Sequence, residues 1–251
     1  MAKDRDDSDG AGPPRELSIF FPALNEEQNV EYMIAQASLV AGQLLEKWEV
    51  IVVDDGSTDS TAAIVARLSR DDPRIRLVSH GRNRGFGEAL RSGIRASRYD
   101  WVFYSDCDGQ FDLSQLEEAL ALAVDSDIVA GYRRRRMDPG LRLLYSLAYG
   151  SLVSLMFWTG FKDVDSSFKL YRKGIFERFF PRSTTGVADF EILYLARRMG
   201  FRVRQFPVRH YPRRAGTVSF EAVRAGFFAW VKLGAIVDMW RQLWRLRMRH
   251  P

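Results

Sequence analysis

Short apolar runs alternate with longer amphipathic stretches through the first half of the chain. Leu17–Phe21, Val50–Val53, Ile75–Ser79, Trp101–Tyr104 and Asp127–Gly131 read as strands. Between them, Glu26–Leu45, Ser57–Arg70, Gly85–Ser97 and Leu113–Val124 read as helices, the second with Ser, Thr and Asp near its start. Strand and helix in strict alternation predict an α/β fold, a mostly parallel sheet flanked by helices. There is no internal repeat and no low-complexity tract.

Two stretches break this rhythm. Leu143–Phe161 carries no charge for 19 positions, the length of a membrane span. Ser146, Gly150, Ser151, Ser154 and Thr159 dilute it, so a buried or interfacial helix is the preferred reading. From Ser219 to Arg249, Lys232 and Asp238 interrupt an apolar run that holds Phe227, Phe228, Trp230, Trp240 and Trp244. That pattern suits amphipathic helix lying on a membrane surface.

Charge sharpens the division. The 251 residues carry a net +5, but Arg197–Pro251 holds 13 Arg and Lys against Glu221 and Asp238, which leaves the remainder at −6. An acidic body with a basic end implies a polyanionic partner, and the tryptophans favour lipid over nucleic acid. Residues 1–16 read as a disordered leader, 17–216 as the folded α/β domain and 217–251 as basic membrane-surface helices. The single cysteine, Cys107, excludes a disulfide framework and suits a reducing cytosol.

The candidate chemistry lies at strand ends. Asp106-Cys107-Asp108-Gly109-Gln110 follows Trp101–Tyr104 and aims two carboxylates and an amide at one point. Mg²⁺ takes one or two protein carboxylates and fills its other positions with water and phosphate, so this loop is a candidate for Mg²⁺ or Mn²⁺. A second acidic loop, Asp54-Asp55-Gly56-Ser57-Thr58-Asp59, follows Val50–Val53. Acidic loops at the carboxyl ends of neighbouring strands line the crevice where α/β folds bind nucleotides.

Phe21-Pro-Ala-Leu-Asn-Glu-Glu27, Val52-Val-Asp-Asp-Gly-Ser-Thr-Asp59, Asn83-Arg-Gly-Phe-Gly-Glu-Ala89 and Asp106-Cys-Asp-Gly-Gln110 occur in the order and spacing of the family 2 glycosyltransferases. The chain resembles these inverting enzymes of the GT-A fold over about residues 17–220. Gly131-Tyr-Arg133, Asp163-Val-Asp-Ser-Ser-Phe-Lys-Leu-Tyr-Arg172 and Arg213-Arg-Ala-Gly216 resemble the dolichol- or polyprenyl-phosphate branch.

The resemblance implies that Pro22, Ala23, Asn25, Glu26, Asp54 and Asp55 cradle the nucleoside. Asp106, Asp108 and Gln110 would surround the metal and diphosphate. Arg133, Arg142 with Ser146, and Arg213 would hold an acceptor phosphate, set apart from the acidic nucleotide loops. The implied reaction moves a sugar, mannose slightly ahead of glucose, from a nucleotide-sugar such as GDP-mannose to a polyprenyl phosphate. It would take place peripherally on the cytoplasmic face of a membrane. Arg142, Arg213 and Asp108 then carry catalysis, because a phosphate is already largely ionised at neutral pH and needs cations more than a base. The alternative is a hydroxyl acceptor with Asp189 as base. A purely nucleic-acid-binding module leaves the two acidic loops without a purpose.

Overall fold

The computed structural model describes residues 12–134, 153, 156, 157, 160–216 and 233–249. The chain opens with β1 (Glu16–Ala23), α1 (Val30–Leu44), β2 (Lys47–Asp54), α2 (Thr61–Asp71), β3 (Ile75–Ser79), α3 (Phe86–Ala96) and β4 (Trp101–Tyr104). A 3₁₀ turn (Leu113–Gln115) leads into α4 (Leu116–Ala123) and β5 (Ile128–Arg133). Then come β6 (Lys169–Arg172), a 3₁₀ turn (Lys173–Glu177), α5 (Val187–Arg198), β7 (Val203–Val208) and α6 (Leu233–Arg249). The seven strands form one sheet in the order β3-β2-β1-β4-β6-β5-β7. All pairings are parallel except those of β6, which runs against β4 and β5.

Both faces of the sheet are covered, so its central strands are apolar almost throughout. Odd positions of β1 (Leu17, Ile19, Phe21) face a core shared with α1 and α4. Phe20 faces the opposite core, with Leu90 and Ile94 of α3 and Ile192 and Leu193 of α5. Gly93 lets α3 press onto this face, since a Cβ there would lie 2.2 Å from the Phe20 ring. A third cluster packs Phe190, Tyr194 and Leu195 of α5 against Leu243 and Leu246 of α6. Pro22 sits in a central strand at no cost. Backbone groups on the Phe20 side of β1 point to β4, whose pairing with β1 ends at Phe20–Tyr104.

Helices α1 and α2 each begin four residues later than their patterns predict. The backbone N–H groups of Asn25, Glu26 and Glu27 are drawn instead to Ser57 Oγ, Thr61 Oγ1 and Asp59 Oδ2, at 2.9, 2.8 and 3.1 Å. The two strand-end loops thus tie each other down before either helix starts. Among the described residues, no helix is long and apolar enough to cross a membrane. Most of the uncharged stretch, the start of the C-terminal one, Arg142, Ser146 and residues 1–11 lie outside the described residues.

Candidate active site

The carboxyl ends of β1, β2 and β4 bring the predicted residues to one rim. Asp54 Oδ1 accepts from the Ser57 N–H at 3.0 Å. Asp55 is held by the segment after β3. Its Oδ1 receives the Arg84 N–H and His80 Nδ1 at 2.9 and 2.7 Å, and its Oδ2 the Gly85 N–H at 2.9 Å. His80 passes its other nitrogen to Ser92 Oγ at 2.9 Å. Asn25 adopts a left-handed backbone (φ 57°) and its Oδ1 accepts from the Thr58 N–H at 2.8 Å. Asn25 and Asp55 therefore shape the rim, while Pro22 and Ala23 end β1 beside it.

The Asp106–Gln110 loop is held from the far end of the chain. Tyr211 N–H donates to the Gln110 carbonyl (2.8 Å), Arg214 N–H to the Asp108 carbonyl (3.2 Å), and Gln110 Nε2 to the Tyr211 carbonyl (3.1 Å). Gly109, at φ 76°, makes the turn, and a Cβ there would lie 3.2 Å from that of Arg214. This stitching delivers Arg213. Its Nη2 lies 2.5 and 2.6 Å from the two Glu26 oxygens and its Nη1 3.4 Å from Asp108 Oδ2. The sequence reading sets Arg213 apart from the nucleotide loops; the structure puts it between them, because the loop after β7 is bonded to the loop after β4.

Electrostatics at this corner are strained toward negative charge. Burial, and then the charge of Asp106, push Asp108 up to about 7, against the Gln110 N–H and Arg213. Burial likewise raises Glu26, opposed by its bonds to Arg213 and Asn29. Cys107 is buried between the two aspartates, and burial pushes its thiol well up, so it is an inert filler. Among the described residues, no group of three His, Cys, Asp or Glu side chains could hold a metal. The donor set still fits a hard divalent cation: two crowded carboxylates and an amide, with remaining positions for water and phosphate.

The other predicted residues lie toward β5 and β6. Arg133, ending β5, is held bidentately by Asp163 at 2.8 and 2.7 Å, with Asp165 at 3.2 Å, and its side chain is only 7% exposed. Asp189, at the start of α5, is buried. Its Oδ1 accepts from the Tyr104 hydroxyl and lies 3.2 Å from Lys169 Nζ. Burial pushes Asp189 up to about 6 against the pull of Lys169. Its neighbour Glu191 caps a loop by accepting the Arg182 and Ser183 N–H groups at 3.0 and 2.8 Å. Sequence reasoning missed Lys169, Ser167, Tyr104 and His80. A lysine inside the apolar run Phe168–Tyr171 was the available signal for the first.

Residues 18–180 match the family described as Glycosyl transferase family 2. The glycosyltransferase AglD of Haloferax volcanii is 31% identical over 244 residues, covering 93% of this chain and 38% of that one. A dolichyl-phosphate beta-glucosyltransferase of Dictyostelium discoideum is 30% identical over 213 residues, 76% of this chain and 65% of its own. An undecaprenyl-phosphate 4-deoxy-4-formamido-L-arabinose transferase of Salmonella choleraesuis is 26% identical over 219 residues, 85% and 65% of the two chains. The chain thus spans less than two thirds of these relatives' lengths. Glucosyl-3-phosphoglycerate synthase of Mycobacterium tuberculosis, solved with Mn²⁺, UDP and glucosyl-3-phosphoglycerate, shares the fold. Its TM-score is 0.67 at 22% identity, over 94% of this chain and 81% of that one.

This chain belongs to glycosyl transferase family 2. Its sheet, with one reversed strand and two acidic loops at one rim, is of the GT-A type.

Proposed function

We propose that this protein is an inverting glycosyltransferase that moves a hexose from a nucleotide-sugar to a polyprenyl phosphate at a membrane surface. The observation that carries this reading is Arg213, which stands between Glu26 on the nucleotide side and Asp108 on the metal side. A cation there can exchange its carboxylate partners for an incoming phosphate, which a guanidinium binds bidentately. The relatives named for dolichyl- and undecaprenyl-phosphate transfer support the same acceptor class.

The reaction joins an acceptor phosphate oxygen to the anomeric carbon as the bond to the donor diphosphate breaks, and the electron pair leaves with the nucleoside diphosphate. Asp106, Asp108 and Gln110 would hold Mg²⁺ or Mn²⁺, whose contribution when bound is Lewis-acid stabilisation of the leaving diphosphate. Asp54 and the rim shaped by Asn25 and Asp55 receive the nucleoside. Arg213 and Arg133 orient the acceptor, Arg133 by exchanging Asp163 for phosphate. Arg142 and Ser146 belong to the same acceptor set on resemblance alone.

The C-terminal region 217–251 provides the membrane contact in this reading. On α6, Trp240, Trp244 and Met248 recur every four residues and are 42%, 62% and 64% exposed, while Leu243 and Leu246 pack inward. Exposed apolar groups flanked by Arg241, Arg245, Arg247 and Arg249 suit an anionic lipid surface.

A second reading rests on Asp189. A carboxyl pushed up to about 6 is poised for proton transfer, which a hydroxyl acceptor needs. Its engagement by Tyr104 and Lys169 inside the core favours the phosphate acceptor instead. The test is to incubate the protein with UDP-glucose or GDP-mannose, Mn²⁺ and a short polyprenyl phosphate, and to follow sugar transfer. Glycosylated lipid phosphate is the expected product. Transfer only to hydroxyl acceptors would replace this reading with the second.

A further inference from the structure

Lys169 is 0% exposed, on the first residue of β6, where an apolar side chain would be expected. Its ammonium meets three oxygens: Asp189 Oδ1 at 3.2 Å, the Tyr104 hydroxyl at 3.5 Å and the Ser166 carbonyl. Three donors on three acceptors satisfy the group completely. A buried ion pair is nevertheless weak as a source of stability, since a packed apolar pair of the same volume does as well or better. The charge calls for another reason, and the third oxygen supplies one.

Ser166 belongs to the segment 163–168, which feeds β6 and touches both sides of the site. Ser167 Oγ donates to Asp106 Oδ2. Asp163, at φ 49°, holds Arg133 bidentately, and its carbonyl accepts from the Ser166 N–H at 3.2 Å. The Phe168 carbonyl takes the Gly131 N–H at 2.8 Å. Within six residues the segment thus orients a metal-side carboxylate and a phosphate-side arginine. Val164 and Phe168 anchor the segment in two apolar clusters, but its polar middle, next to the left-handed Asp163, is not held by them. Lys169 fastens its middle to α5 through Asp189 and to β4 through Tyr104.

We propose that Lys169 is a positioning residue: by fixing the Ser166 carbonyl it sets Ser167 on Asp106 and Asp163 on Arg133, so that the metal side and the acceptor side keep one geometry. Asp189 is then the counter-charge that lets Lys169 do this from inside the core. The proposal rests on the metal-dependent transferase reading for the meaning of Asp106.

Two measurements on the full chain test it. In the ligand-free protein, Lys169→Met should speed amide hydrogen exchange across 163–168 and leave β1–β3 protected. In titrations of Mn²⁺ with UDP and with GDP, Lys169→Met and Ser167→Ala should each weaken Mn²⁺ about ten- to a hundredfold, as loss of an outer partner of a ligand does. The double variant should be no weaker than Ser167→Ala alone, because both remove the same orientation of Asp106. Lys169→Arg, which keeps the charge and the donors, should recover part of both effects. Unchanged exchange at 163–168, or losses that add in the double variant, would overturn the proposal. So would an unchanged Mn²⁺ affinity in Ser167→Ala, a variant that stands even if Lys169→Met does not fold. If the wild-type protein binds Mn²⁺ with neither nucleotide, the transferase reading fails instead, and the exchange measurement still decides the role of Lys169.

Discussion

The two halves of the site handle charge in opposite ways. On the β1–β2 side, carboxylates are met largely by neutral donors: Asp54 by the Ser57 N–H, Asp55 by the Arg84 and Gly85 N–H groups, and Asp59 by Thr61. On the β5–β6 side and at Arg213, full charges face full charges: Arg133 with Asp163, Lys169 with Asp189, Arg213 with Glu26. Dipoles solvate an anion without cancelling it, so the first half keeps a negative field at its rim. Ion pairs offset much of each other's field, so in the second half each cation is already engaged by carboxylates. In the proposed function, one half is ready for its ligand and the other must exchange an ion-pair partner to receive it.

The largest expected effect lies where the halves meet. Asp108→Ala should slow transfer about a thousandfold or more, roughly 4 kcal/mol at about 1.4 kcal/mol per decade. Excess EDTA should do the same to the wild type, and full turnover in EDTA refutes the metal assignment. The contrast between dipoles and pairs is sharpened by urea unfolding. Arg133→Met removes the guanidinium that holds Asp163 bidentately and should cost about 3–5 kcal/mol. Asp55→Asn keeps the shape and part of the bonding and should cost about 1–3 kcal/mol. Equal losses would erase the contrast.

Arg213→Ala should reduce turnover per acceptor about ten- to a hundredfold, and because Arg213 also touches Asp108 and Glu26, it should alter nucleotide and Mn²⁺ affinity as well. An acceptor effect with donor binding untouched would place Arg213 wholly in the second half. Acidity gives a smaller signal. Burial holds Asp108 and Asp189 at about 7 and about 6 in the fold, above the free value near 3.9, so the folded chain binds protons that the unfolded chain does not. Between those limits these two groups make the ligand-free protein more stable as pH falls, and their penalty is fully present above pH 7. Melting from pH 8 to 6 in EDTA checks this, and Asp189→Asn should flatten the trend. Smallest of all, Trp244→Ala should loosen attachment to anionic vesicles severalfold, with added salt weakening wild type and variant alike. Attachment indifferent to both would remove α6 from the membrane.

The first half of the fold was legible because strands buried on both faces write themselves as unbroken apolar runs. Val50–Val53 and Trp101–Tyr104 fall inside the observed β2 and β4. The second half hid its elements for physical reasons. β6 is four residues long and begins with a buried lysine; α5 is apolar nearly all round and carries Asp189 and Glu191 inward; β7 is an edge strand with polar alternation and Pro207. The acidic residues of the site could be read from their spacing at strand ends. Their partners could not, since Glu26 and Arg213 meet across 187 positions and Asp55 is met by backbone N–H groups that no side-chain pattern records.

The reversed direction of β6 has a consequence for how such a protein can diversify. A parallel connection must carry the chain across the full height of the sheet, so its length and packing are constrained by the core. Between β5 and β6 the chain leaves and re-enters at the same rim, with Arg133 at one end and Lys169 at the other. A change of length in that connection therefore leaves the register of the β5–β6 pairing where it is. The connection also returns to the same rim through Asp163 and Ser167, so a change short of Asp163 can alter what meets Arg133 while Ser167 still meets Asp106.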